Sequence, residues 1–292
     1  MNTEQKSEVS LEHFGYKQEL KRSLSVWDLI IYGLVFMVPI APFGIYGYVA
    51  SGSKGMVPLA YLIGLIGMIF TAFSYARMSE AFPLAGSVYT YASLGINKVV
   101  GFFAGWAILM DYILVPALLY LVSAAALNAI VPGIPVVVWA IFFILINTII
   151  NVRGIEFTAR VNKIFLIGEL IVFLLFVISG IIAITHGVNG AHFSIKPFYD
   201  PANFSMSMVM GAVSIAVLSF LGFDGISTLS EEAQGGNKVV GKATLAALVG
   251  VAFLFITQTY VAATLWPDYS SFKNLDTAFY DVARLAGGAW LM

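Results

Sequence analysis

The sequence predicts an all-α membrane protein in which two of the spanning helices are broken. Three observations carry that expectation. Of the 292 residues, 60% are hydrophobic and only 11% charged, more apolar surface than a water-soluble core of this length contains. The apolar residues gather into seven runs, most of them near the roughly 20 residues a helix needs to cross a bilayer. Proline and glycine then interrupt the first run and glycine the sixth, near their middles.

The stretch 1–25 is polar and lacks the apolar core and cleavage site of a secretory signal, so it reads as an N-terminal tail ahead of a first run that directs its own insertion. The runs lie at 26–49, 58–76, 99–127, 136–151, 164–184, 206–229 and 243–265. A further run, 285–292, reads as the start of an eighth. Residues 26–292 are therefore expected to form one transmembrane domain whose C-terminal part is missing. When the runs are threaded alternately, eleven of the 15 Lys and Arg residues fall on one side. Lys54, Lys196, Lys273 and Arg284 fall on the other. The positive-inside tendency then places the N-terminus in the cytoplasm. The loop 266–284 falls outside, with room for a short amphipathic helix over an external vestibule.

Several classes are disfavoured. There is no Cys, hence no disulfide framework or thiolate metal site, and His13, His186 and His192 all lie outside the runs. No metal or cofactor is expected. No nucleophile elbow, Walker loop or dinucleotide fingerprint occurs, so no enzyme is expected. A net charge of -1 gives no reason to expect a nucleic acid partner. The partner is the lipid bilayer. Glycines 101 and 105 of "GFFAG" read as points of close helix packing.

The first run contains "MVPIAPFGIYG" (37–47) and the sixth "SFLGFDGISTLSEEA" (219–233). Proline lacks a backbone donor and glycine tolerates non-helical torsions, so unwinding is expected near 39–44 and 219–224, the two breaks approaching one another. Two discontinuous helices five spans apart, entering from opposite sides, are the sequence pointer to an inverted repeat whose unwound backbone lines a site near the midplane. "GSKG" (52–55) and "GGNK" (235–238) echo that repetition weakly.

Three carboxylates, Asp111, Glu169 and Asp224, lie well inside the runs. Each needs a partner, water or a proton, because a charge near the bilayer centre costs roughly 2.5 to 3.5 kcal/mol or more. Asp224 stands where the sixth helix restarts, placed to cap exposed amides, to bind an ammonium group or to take a proton. Asp111, beside Tyr112 in the third run, suits a cationic solute whose carbons Tyr112, Phe43, Phe220 and Phe223 would cover, offering cation–π faces. Glu169 in the fifth run is a carboxyl that desolvation favours in its neutral form, a candidate for loading and releasing a proton. Glu231 and Glu232 read as a solvated face or a gate latch.

"EAFPLAGSVYTYA" (80–92) resembles the signature of the amino acid-polyamine-organocation superfamily of permeases, and the sixth-run segment resembles its sixth-span break. "GWAILMDYILVP" (105–116) together with "GFDGISTLSEE" is similar to the putrescine-importer branch. The resemblance covers essentially the whole chain. It implies a five-plus-five inverted repeat of about twelve spans, of which the second repeat is incomplete here, and secondary active transport by alternating access in the plasma membrane. It further implies a substrate site built from Ala41, Pro42, Phe43 and Gly44 of the first break, Phe220, Gly222, Phe223 and Asp224 of the sixth, and Asp111 and Tyr112 of the third helix. Glu169 matches the position of a proton-coupling lysine in some related permeases, with the charge reversed. Because the prolines of "PIAPFG" remove amide donors that would hold a carboxylate, the expected substrate is putrescine or a similar polyamine. The alternatives are an amino acid permease or exchanger and, in a different class, a nontransporting sensor or channel.

Overall fold

The computed structural model of the chain describes residues 22–153, 155–235 and 238–291. Most of the expected tail (1–21), the centre of the "GGNK" echo (236–237) and Met292 lie outside the described residues. The regular structure within them is helical. The first apolar run forms α1 (Val26–Met37) and α2 (Pro42–Gly52), followed by α3 (Val57–Ala81), α4 (Ser87–Gly95), α5 (Lys98–Ile130) and α6 (Val136–Val152). Then come α7 (Ile155–Thr185), α8 (Met206–Ala216), α9 (Lys238–Leu265) and α10 (Ala278–Gly287). Between α8 and α9 the chain winds into two short 3-10 segments, Val217–Phe220 and Phe223–Leu229.

Five helical stretches are long and apolar enough to cross a bilayer, and α1 with α2 makes a sixth when the broken pair counts as one. The expected fourth span, α6, has only 17 residues, short of the usual length. No residue of α6 is fully buried, and apolar side chains of α5 such as Phe102, Trp106 and Leu114 are exposed, as suits a chain whose solvent is lipid. This is a multi-pass membrane protein. Helices run past the apolar edges that the sequence marks, because backbone hydrogen bonding continues until something stops it: α3 extends to Ala81, just before Pro83. The run 285–292 does not begin a new helix in the described residues. Leu285–Gly287 complete α10, and Gly288, at φ 84°, ends it.

The chain divides into two compact units. One contains the described part of Met1–Met37 with Gly67–Tyr112 and Leu221–Gly250. Here α1 and α4 both pack against the 3-10 segment Phe223–Leu229. Gly33 permits the approach of α1, since a side chain there would strike Ile226. The "GFFAG" glycines also belong to this unit: a Cβ at Gly101 would meet Ser93, and one at Gly105 would lie 2.8 Å from the Tyr89 ring. The other unit contains Val38–Ile66, Ile113–Phe220 and Val251–Met292. In it α2 packs on α8, and α10 lies against α2 and α7. The loop 266–284 thus carries the expected amphipathic helix, buried through Phe279, Val282 and Ala283.

Candidate functional site

The sixth span breaks at Gly222, whose φ of 101° is left-handed backbone that a residue with a Cβ adopts only with strain. A Cβ there would also come within 2.8 Å of the Phe36 carbonyl oxygen at the end of α1. Beyond it the helix restarts in 3-10 form rather than α. The sequence "DGISTLS" explains the form, because its hydroxyls bond the backbone locally. Ser227 Oγ donates to the Asp224 carbonyl (2.6 Å), Thr228 Oγ1 to the Gly225 carbonyl (2.7 Å) and Ser230 Oγ to the Ser227 carbonyl (2.6 Å). These short-range bonds add side-chain donors to the carbonyls of the 3-10 turn.

Asp224, 9% exposed, sits in the first turn of this restart with its carboxyl against its own N–H and that of Gly225. The capping expected of it is therefore confined to the nearest amides. Tyr112 donates to Asp224 Oδ2 over 3.4 Å, a long contact where about 2.5 to 3.0 Å is usual. Asp111, half-buried on α5, is within electrostatic reach of Asp224. Among the described residues neither acid takes part in an ion pair; those present join Glu80 to Arg77 and to Lys238, each at 3.7 Å. Aromatic rings gather about the restart of the sixth span. Phe223 meets the edge of Tyr75 (centroids 5.3 Å), Tyr75 meets Tyr91 (5.9 Å), and Tyr32 stacks on Phe36 (4.6 Å). Tyr75 and Tyr112 both lie within electrostatic range of both carboxylates. All of these residues belong to one compact unit.

At one end of the same unit, the chain ahead of α1 is stitched to the end of the sixth span. Ser23 and Leu24 donate to the Glu232 carbonyl, both at 3.0 Å, and Gln234 donates to the Leu24 carbonyl at 2.8 Å. Glu231 accepts from the Ala85 N–H at 3.0 Å. The pair read as a solvated face or latch thus ties "EAFPLAG" and the start of α1 to the segment after Asp224.

The other residues expected at the site lie in the second unit. The first break spans Val38–Ala41, with Val38 at φ 51°, and is shorter than expected. Pro42, Phe43 and Gly44 already belong to the first turn of α2, since a proline at the start of a helix costs no hydrogen bond. Phe43 stacks on Phe279 of α10 (3.8 Å) and meets Phe176 edge-on (5.9 Å). Phe220 is fully buried against Tyr61 and Phe255. Both rings serve packing there, in place of the open face expected of them. Gly44 faces Val122, to which a Cβ would approach within 2.9 Å. Glu169, on α7, is half-buried within this unit.

Sequence reading missed Tyr75 beside the acids, Tyr32, Ser87 and Tyr91 about the 3-10 segment that carries Asp224, and Gln258. The amide of Gln258 donates to the Pro39 and Leu254 carbonyls, both at 2.9 Å, so α9 holds the carbonyl that the first break frees. A fully buried glutamine in an apolar run, "FLFITQTY", was the available signal.

A family model described as amino acid permease matches residues 24–291. The low-affinity putrescine importer PlaP of Escherichia coli strain K12 is 35% identical over 276 residues, covering 92% of this chain and 60% of the importer. The branched-chain amino acid permease BcaP of Bacillus subtilis strain 168 is 23% identical over 94% of this chain and 61% of its own length. The cationic amino acid transporter 4 of Mus musculus is 25% identical over 96% and 46% respectively. The chain thus spans about 60% of the length of the first two relatives. All three are named as importers, permeases or transporters.

Proposed function

The chain belongs to the amino acid permease family, and on that premise we propose that it carries the substrate-binding part of a secondary transporter for a small amine, with putrescine or a similar polyamine as substrate. In this reading the N-terminus is cytoplasmic, the membrane is the plasma membrane, and the two halves of an inverted repeat alternate access to the site. One observation carries the substrate class. Asp111 and Asp224 lie within electrostatic reach of one another, with Tyr75 and Tyr112 within reach of both, and among the described residues neither is paired with a cation. Two carboxylates within electrostatic reach, one buried and one half-buried, are costly to ionise together, and a cationic solute offsets that cost.

The first break supports the same choice. Of the residues Val38–Gly44, Pro39 and Pro42 have no N–H. The amides of Ala41, Phe43 and Gly44 already donate to Val38, Ile40 and Ala41 carbonyls at 2.8, 2.9 and 3.3 Å. Few donors remain for a substrate carboxylate, which an amino acid would need and a diamine does not. The similarity to a putrescine importer agrees, while the relatives named for amino acids favour the second reading, an amino acid permease. Uptake of labelled putrescine into vesicles containing the full-length protein, competed by a panel of amino acids, separates the two. Competition by unlabelled diamines alone is the expected result; competition by neutral amino acids at lower concentration than putrescine sinks the polyamine reading.

Glu169 is assigned to proton coupling, as an acid with an otherwise apolar run around it. Glu169→Gln is expected to impair uptake driven by a proton gradient more than it impairs equilibrium exchange. Equal dependence on the gradient in variant and parent assigns Glu169 to structure.

A further inference from the structure

Ser87 stands at φ 47°, a left-handed conformation uncommon for a residue with a side chain. It is the first residue of α4, immediately after Gly86, and only 2% exposed. Glycine would take this backbone without strain, so retaining serine calls for a use of its hydroxyl. That hydroxyl lies 3.0 Å from Ser227 Oγ, itself 1% exposed and 2.6 Å from the carbonyl of Asp224. A serine hydroxyl carries one proton. Ser227 Oγ donates to Ser87 Oγ and to the Asp224 carbonyl, so its one proton ties the strained serine to the backbone of the acid. The contact joins α4 to the 3-10 segment that carries Asp224, and Tyr75, packed on Phe223, also reaches Ser87 with its hydroxyl.

We propose that Ser87 and Ser227 are positioning residues that fix the 3-10 restart of the sixth span and thereby aim the Asp224 carboxyl at the solute. The proposal rests on the reading of Asp224 as part of a polyamine site, but its mechanical half is independent of any ligand. The strained serine spends backbone energy on a hydrogen bond whose value lies in the placement of an acid one turn away.

The test uses the full-length protein in detergent with three variants, Ser87→Gly, Ser87→Ala and Ser227→Ala. Measurements are hydrogen exchange across 223–230, the unfolding midpoint, and the putrescine Kd by titration calorimetry. Ser87→Gly relieves the backbone and should leave the midpoint unchanged or raised. It should nonetheless speed exchange in 223–230 and raise Kd by about fivefold, the usual worth of one hydrogen bond. Ser87→Ala should show the same exchange and affinity changes with a lower midpoint than Ser87→Gly, and Ser227→Ala should match them in exchange. Unchanged exchange across 223–230 in both Ser87→Gly and Ser227→Ala overturns the positioning role even if the parent binds putrescine. Unchanged affinity beside faster exchange overturns the aiming of Asp224. If exchange rises but the parent binds no putrescine, the polyamine reading fails while the mechanical link stands.

Discussion

The two breaks in this chain are built from different chemistry. The first, at Val38–Ala41, is made by residues that remove donors or turn the backbone, and its amides and carbonyls are consumed locally or, at Pro39, by Gln258. The sixth, at Gly222, is made by one glycine and then propped by side-chain hydroxyls from Ser227, Thr228 and Ser230, with Asp224 in its first turn. An unwound helix in a membrane must satisfy its freed groups from within the protein. The first break does so with the backbone and a neutral amide and so presents little charge. The sixth does so with hydroxyls, leaving an acid available. On the proposed reading, the first break bends the chain and the sixth recognises the solute.

The largest effect that can break this division is expected at Gly222. Gly222→Ala places a Cβ at φ 101° and against the Phe36 carbonyl, which should destabilise the protein by roughly 2–4 kcal/mol through strain and overpacking together. Thermal unfolding in detergent measures it. A midpoint equal to the parent's would mean that the sixth break does not depend on left-handed backbone.

Gln258→Leu sharpens the contrast from the other side. Loss of the amide strands the buried Pro39 carbonyl and should cost about 1–2 kcal/mol of stability, while the putrescine affinity changes by less than about twofold. An affinity loss larger than the stability loss would move recognition into the first break.

The smallest effect is outside both breaks. Asp200, in the loop after α7, accepts from the Asn203 side chain at 2.8 Å and the Ala202 N–H at 3.2 Å. The Asn203 bond above all holds its carboxyl below the usual carboxylate range, partly offset by burial and helped by Ala202 and Lys196. A lowered carboxyl contributes stability above its unfolded value, and that contribution fades as pH falls through the folded one. Asp200→Asn should therefore remove a slight acid-dependent loosening of this loop, read by hydrogen exchange across 200–203, without altering either break. A changed putrescine affinity in this variant would contradict the confinement of recognition to the sixth break.

Much of this architecture is legible in the sequence because glycine and proline mark backbone exceptions directly. "VPIAP" and "LGFDG" locate the two breaks within a few residues, and an aspartate in an apolar run announces Asp224. Side-chain facing is less legible. Phe43 and Phe220 stand at the breaks, yet each turns into a packed aromatic cluster, and nothing in an all-apolar helix distinguishes one face from another. Tyr32 and Tyr75 were missed for the same reason, since a tyrosine in such a helix looks like packing until a carboxylate is found beside it. Ser87 was hidden because nothing in "LAGSVY" marks the serine, beside a glycine, as the residue in left-handed backbone.

The central claim, that paired acids on the third helix and at the sixth break recognise an ammonium group, is tested most directly by titration calorimetry of putrescine into the full-length protein and its Asp111→Asn variant. Folding is checked by the elution profile in detergent. Leaving Asp224 without its neighbour's charge should weaken putrescine binding by at least about tenfold, near 1.4 kcal/mol, with a neutral amino acid less affected. Equal putrescine affinity in the variant and the parent would contradict the account and transfer the site to an amino acid substrate.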